Sequence, residues 1–130
     1  MTFEEALTAE LKTIVALNGR VFPLEAPEEP FDLTSPYLIF GSSEGIRTKD
    51  LSTGYQAGKS VQGELNVMAP RYADMKSIMN SVIDKIISFQ SREIGVDGPF
   101  VQEVTYREPV EMFEDKPKLY RSVVEFEVYF

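Results

Sequence analysis

Across residues 69–89 apolar side chains return every third or fourth position, while in the segments on either side they return every second. A stripe of Tyr72, Met75, Met79, Val82, Ile83, Ile86 and Ile87, running to about Phe89, is the pattern of a helix with one buried face. Arg71, Asp74, Lys76, Asn80, Asp84 and Lys85 fall on the other side, and Pro70 suits a first helical turn. Ahead of it, Val61, Leu65 and Val67 alternate with Gln62, Glu64 and Asn66, the period of a half-buried strand. A helix fed by one such strand and followed by two more buries its stripe against a sheet. The constraint is therefore an α+β domain, mostly antiparallel, with helices on one face.

A second helix is predicted over residues 2–17, where Phe3, Leu7, Leu11, Ile14 and Val15 recur at spacings of three and four. Thr2 and Glu5 have capping-box spacing, and Asn18-Gly19 supplies residues that tolerate a left-handed end. Residues 22–36 hold four of the eight prolines, so this stretch runs extended over the surface, held by Phe22, Leu24 and Phe31. Pro27 to Pro30 has PxxP spacing, but Glu28 and Glu29 fill the spacer and no basic anchor flanks it, which favours an ordered crossover. Residues 36–41 read as a short buried strand. Residues 42–59 turn polar, and are either a mobile loop or the tip of a long hairpin.

Residues 100–107 alternate, with Phe100, Val104 and Tyr106 on the inner side, and so do residues 119–130, with Tyr120, Val124, Phe126, Val128 and Phe130 facing in. An acidic loop over residues 108–118 joins them as a hairpin tip. The whole of 1–130 reads as one domain, two amphipathic helices on a mostly antiparallel sheet with long exposed loops.

Composition removes most chemistry. With no Cys and no His in 130 residues there is no thiol nucleophile, no disulfide, no imidazole base and no histidine metal ligand. Gly58-Lys59-Ser60 resembles the end of a phosphate-binding loop, yet the glycine needed upstream is Thr53 and a strand pattern follows where a helix is required. Carboxylates are the remaining acid/base resource. Glu125 and Glu127 share the outer face of the last strand, Glu28 and Glu29 sit in the crossover, and Glu111, Glu114 and Asp115 cluster in the acidic loop, all in solvated settings. No spaced calcium-loop ligands occur. Met75 and Met79 lie in the isoleucine stripe and read as core. No catalytic residue, cofactor site or metal site is expected.

The net charge of −8 argues against binding along a nucleic-acid backbone, which needs clustered Lys and Arg. No stretch has the roughly 20 apolar residues of a membrane span, and the acidic start lacks the form of a signal peptide, so synthesis in a cytoplasm is expected. Two segments remain as candidate contact surfaces: residues 42–59, with Thr48, Lys49, Asp50 and Tyr55, and residues 109–118, with Glu111, Met112, Phe113, Glu114 and Asp115. Met112-Phe113, apolar within charge, either contacts a partner or folds back over the domain. Unpaired sheet edges add a route to oligomers.

The order of these features resembles the tail-completion proteins of long-tailed bacteriophages, the group of the lambda-type tail terminator and the gp17-like tail-to-head joining proteins. The resemblance covers most of the chain. It is carried by the amino-terminal helix, the passage from VFPLEAPEEP into SPYLIFG, Thr53-Gly54 in the polar excursion, the junction LNVMAPRYADMKSIMNSVIDKI, and the closing aromatic strand. It implies a structural virion protein, made in the host bacterial cytoplasm. The expected form is a homo-oligomeric, commonly hexameric ring at the head-proximal end of the tail, touching the tail-tube and head-completion proteins. DNA would be passing cargo, and no membrane is involved. A head-completion or connector subunit is the alternative in the same class, and a small-ligand-binding α+β regulatory module the alternative from another.

Overall fold

The computed structural model describes residues 2–24, 34–115 and 118–130, with Thr48 and Gln56 described by their backbone alone. Phe31, the Pro27 to Pro30 spacing and Glu28-Glu29 lie outside the described residues.

Helix α1 spans Phe3–Leu11 and begins as its sequence requires. Thr2 Oγ1 accepts the Glu5 N–H at 3.2 Å and the Glu5 carboxylate accepts the Thr2 N–H at 3.3 Å, so two otherwise orphaned donors are satisfied reciprocally. These bonds hold the Glu5 carboxyl below its ordinary range. The helix stops six residues short of the predicted Leu17. Thr13 turns its hydroxyl onto the Glu10 carbonyl at 2.6 Å, Ile14 is extended, and only Val15–Leu17 resumes, as a 3-10 turn. The β-branched run Thr13-Ile14-Val15 has poor helix propensity, and a hydroxyl that takes a backbone acceptor competes with the ladder. Ile14 and Leu17 still enter the core, but Val15, expected on the buried stripe, is 90% exposed. Asn18 and Gly19 take the left-handed conformation, with φ of 50° and 74°.

Strand β1 (Val21–Pro23) is a short edge strand, parallel to β2 (Tyr37–Ser42). Its Pro23 sits where no ladder donor is needed. Leu24 was expected to pin this passage; instead it has φ 64° and is exposed, because the chain turns outward as soon as its N–H reaches the Phe40 carbonyl. Strand β3 (Ile46–Asp50) pairs with the first part of β4 (Gly54–Ala69), so the polar excursion is a hairpin. Gly58, Lys59 and Ser60 lie within β4, as the failed phosphate-loop spacing implied.

Helix α2 spans Tyr72–Ile87. Pro70 sits before the cap residue Arg71, two positions ahead of the helix proper, and directs the chain out of β4. Met75, Ile78, Met79, Val82 and Ile86 are buried, whereas Tyr72 and Ile87, at the two ends of the stripe, are half exposed. Phe89 is fully buried just past the helix.

The last third departs from the predicted hairpin in two ways. Residues 100–107 form two strands, β6 (Phe100–Val101), which pairs with β5 (Arg92–Glu93), and β7 (Glu103–Tyr106), which pairs with β9 (Leu119–Tyr129). Across the break the Gln90 amide donates to the Gln102 carbonyl and accepts the Val104 N–H at 2.8 Å, standing in for a strand neighbour. The offset turns Val101 inward and leaves Phe100 and Tyr106, both predicted inner, exposed. The acidic loop contains strand β8 (Val110–Glu114), paired antiparallel to the first half of β9. β9 extends well beyond β7, and its free edge there takes β8 as partner.

Among the described residues the main sheet has seven strands with β1-β2-β4-β9-β7 as its path, β3 on the outer edge of β4 and β8 on the outer edge of β9. The β4–β9 ladder, from Ser60 opposite Tyr129 to Ala69 opposite Tyr120, is its spine. Val61, Leu65, Val67, Val124, Phe126 and Val128 face α1 and α2 across the core. Gly63 lies opposite Phe126, and a Cβ there would stand 2.6 Å from the Gly41 carbonyl and 2.7 Å from the Phe126 ring. The result is the expected α+β fold: two helices on one face of a mostly antiparallel sheet, the other face open, with no closed barrel.

Candidate assembly surfaces

The predicted contact residues fall into two hairpins at opposite corners of the sheet. β3 flanks β4 near the Ser60–Tyr129 end of the spine, and β8 flanks β9 near the Ala69–Tyr120 end. Thr48, Lys49, Asp50 and Tyr55 lie together in the first, and Glu111, Met112, Phe113, Glu114 and Asp115 in the second.

The first hairpin projects as an arm. β9 accompanies β4 only to Lys59, whose N–H and carbonyl exchange bonds with Phe130, and residues 48–58 continue beyond it. Its tip is built by Asp50, whose carboxylate accepts the Ser52 N–H and the Ser52 hydroxyl, each at 2.8 Å. Those bonds lower the Asp50 pKa, the backbone bond first. Gly54, at φ 77°, closes the turn. The ladder shifts register between Arg47 and Lys49, a bulge at the Thr48 backbone that strengthens the twist. Lys49 Nζ lies 5.3 Å from the Tyr55 ring centre. Ile46, Leu51 and Tyr55 are all strongly exposed.

The second hairpin is tied down. Lys76 on α2 meets Glu111 at 2.7 Å, and this bond, with a further one from Tyr72, lowers the Glu111 pKa while the same pair raises that of Lys76. Phe113 packs on Tyr120 with ring centres 5.0 Å apart, and Tyr120 meets Tyr72 edge-on at 5.6 Å. Arg121 donates to Glu114 at 2.9 Å and to the buried Asn66 side chain at 3.0 and 2.6 Å. In a strand, neighbouring residues point to opposite faces, so Met112 and Phe113 lie on different sides of the sheet; they remain 42% and 51% exposed. The sequence reading passed over Arg121 and Asn66, which hold this corner together. Asn66 had been placed on the outer polar face, and only the β4–β9 register, which sets Arg121 beside it, makes it a buried acceptor.

The open face of the sheet carries the acids. Glu64 stands directly opposite Glu125, and Glu127 opposite Gln62, on the side away from the helices. Glu127 accepts from Gln62 at 3.1 Å and from Ser60 at 3.2 Å, and Arg107 reaches Glu125 only at 3.6 Å with both side chains largely in water. These carboxylates line a shallow open groove of about 680 Å³. Among the described residues no set of three or more acidic, histidine or cysteine side chains is placed to hold a metal ion. Among the described residues no helix is long and apolar enough to cross a membrane.

The fold defines a class, a small α+β domain with two exposed hairpins and an open sheet face as its distinguishing surfaces among the described residues. The family model described as tail completion protein gp17 matches residues 5–130, and the chain belongs to that family. It is a structural protein with a tail-terminating, head-joining role in a tailed-phage virion. Among solved structures it is similar to a chain of the "virion of native gene transfer agent (GTA) particle", at 17% identity and a TM-score of 0.72, covering 98% of this chain and 92% of that one. A second solved chain shares the fold at 16% identity and a TM-score of 0.55, covering 98% and 91%. A comparison with curated protein sequences finds no match.

Proposed function

We propose that residues 1–130 act as one domain whose copies form a ring, hexameric, at the head-proximal end of the tail. There it ends growth of the tail tube and offers a surface to the head-completion proteins. The observation that carries this reading is the family match over nearly the whole chain, joined to two exposed hairpins that core packing does not require. The arm at residues 42–59 and the corner at residues 109–118 are the proposed contacts with neighbouring copies and with the tube. The acid excess of the body, where it borders a channel, repels DNA in transit and so does not retain it. Synthesis takes place in the host cytoplasm, and the protein acts in the particle.

Electron microscopy of particles made without this protein tests the role: overlong or unattached tails are expected, and tails of normal length firmly joined to heads overturn it. Replacing Met112 and Phe113 together with serine tests the corner. The variant is expected to stay folded and to attach tails poorly, and unchanged attachment removes that corner from the contact set.

A further inference from the structure

The arm and the open sheet face carry opposite charge. In a chain of net charge −8, residues 42–59 carry Arg47, Lys49 and Lys59 against Glu44 and Asp50, and the Asp50 carboxylate is already engaged by Ser52. Among the described residues none of these three cations is in an ion pair. On the open face Glu64 and Glu125 oppose each other directly across two strands, an arrangement of like charges that destabilises an isolated sheet. Arg107 meets Glu125 at 3.6 Å and is largely in water, so it offsets little of that repulsion.

Shape agrees with charge. The groove beside these acids is lined by Gly41, Gln62, Glu64, Thr105, Glu125 and Glu127. Among the described residues a Cβ at Gly41 would meet nothing nearer than Leu24 at 3.9 Å. The arm is a two-stranded ribbon with Leu51 at its tip, and the three residues of β3 after Arg47 carry it roughly 10 Å past the end of β9 at about 3.4 Å per residue. It leaves along the axis of β4, away from the groove at Gln62 to Glu64, so a chain's own arm does not turn back into its groove.

We propose that the arm of one copy seats in the acidic groove on the open sheet face of the next, Arg47, Lys49 and Lys59 meeting Glu64, Glu125 and Glu127, with Leu51 and Tyr55 covering apolar surface at the margin. The inference rests on the ring proposed above and names the contact that builds it. Such a contact is head-to-tail, since the arm and the groove are different surfaces, and head-to-tail contacts close into rings when the rotation permits. The charges also supply a cationic neighbour for Glu64 and a second one for Glu125, whose pair with Arg107 is long and exposed.

The test is sedimentation of the full chain at low and high salt, with four variants. Self-association of the natural chain is expected to weaken as salt rises. Reversing the arm (Arg47→Glu with Lys49→Glu) or the groove (Glu64→Lys with Glu125→Lys) is expected to lower the association constant by about tenfold or more, while a chain carrying both reversals recovers it. Gly41→Leu fills the groove without touching the core, and is expected to block association with the melting temperature unchanged. Reversals without effect, or a doubly reversed chain that stays apart, overturn the proposal. A natural chain that remains monomeric at low salt and high concentration overturns it as well. Counting copies in assembled particles separates the two readings: several copies per particle alongside a failed charge swap leave the ring standing without this contact, whereas a single copy per particle removes the ring itself.

Discussion

The two hairpins are built alike and held differently. Each adds a five-residue strand to the edge of a longer one, β3 to β4 and β8 to β9. β8 is fastened by the Lys76–Glu111 pair, by the Phe113–Tyr120–Tyr72 ring contacts and by Arg121 reaching both Glu114 and Asn66. In the arm Lys49 lies over Tyr55 and Asp50 accepts from Ser52, both contacts within the hairpin. An edge strand docked on a helix contributes to the stability of the chain that makes it. An edge strand extended into water, with Ile46, Leu51 and Tyr55 exposed, contributes little to that stability and offers a surface to another chain.

The sharpest way to break this contrast is to remove what both hairpins hang from. Phe126, buried on the spine opposite Gly63, is expected to cost about 3–5 kcal/mol when replaced by alanine, and both hairpins should lose hydrogen-exchange protection together. Chemical denaturation with exchange read at both corners checks this. Phe113→Ala comes next, at about 1 kcal/mol, because a half-exposed ring gives up its Tyr120 contact, while Leu51→Ser in the arm stays within about 0.5 kcal/mol of the natural chain. Equal losses at the two positions would erase the distinction.

The smallest effect concerns pH. Glu111 titrates below its ordinary range because Lys76 and Tyr72 bond its charged form, so its contribution to stability is present above the unfolded value and fades as pH falls through the lowered one. Lys76, raised by the same pair, contributes below its unfolded value and loses that contribution as pH rises through the raised one. In Lys76→Met, NMR titration of the Glu111 carboxyl should show its midpoint move upward. An unmoved midpoint would mean the pair does not hold β8 to α2 in solution.

Much of this was legible in the chain because periodicity reports burial. The stripe of α2, the alternation of β4 and the inner face of β9 all follow from apolar spacing, the start of α1 follows from Thr2 and Glu5, and the left-handed end of the 3-10 turn follows from Asn18 and Gly19. What stayed hidden depends on partners distant in sequence. Thr13 ends a helix by a local bond that periodicity does not register, and Gln90 divides a strand by reaching the backbone of Gln102 and Val104. β8 reads as an acidic loop until β9 is seen to have a free edge beside it. Of the proposed contact sites the sequence marked residues 42–59 by a long polar run and residues 109–118 by Met112-Phe113, apolar within charge. It did not mark the groove, since Glu64 and Glu125 are 61 positions apart and meet only through the strand register.

β4 runs unbroken from the arm at Gly54 to the threshold of α2 at Ala69. Its backbone bonds to β9 lie across the strand direction, so a pull on the arm along β4 meets them side by side. The ladder is loaded in shear over its whole length, where a pull at right angles would open it one pair at a time. Tension borne at the arm is therefore shared by the strongest part of the molecule, and a subunit fastened through this hairpin resists axial stretching far better than peeling.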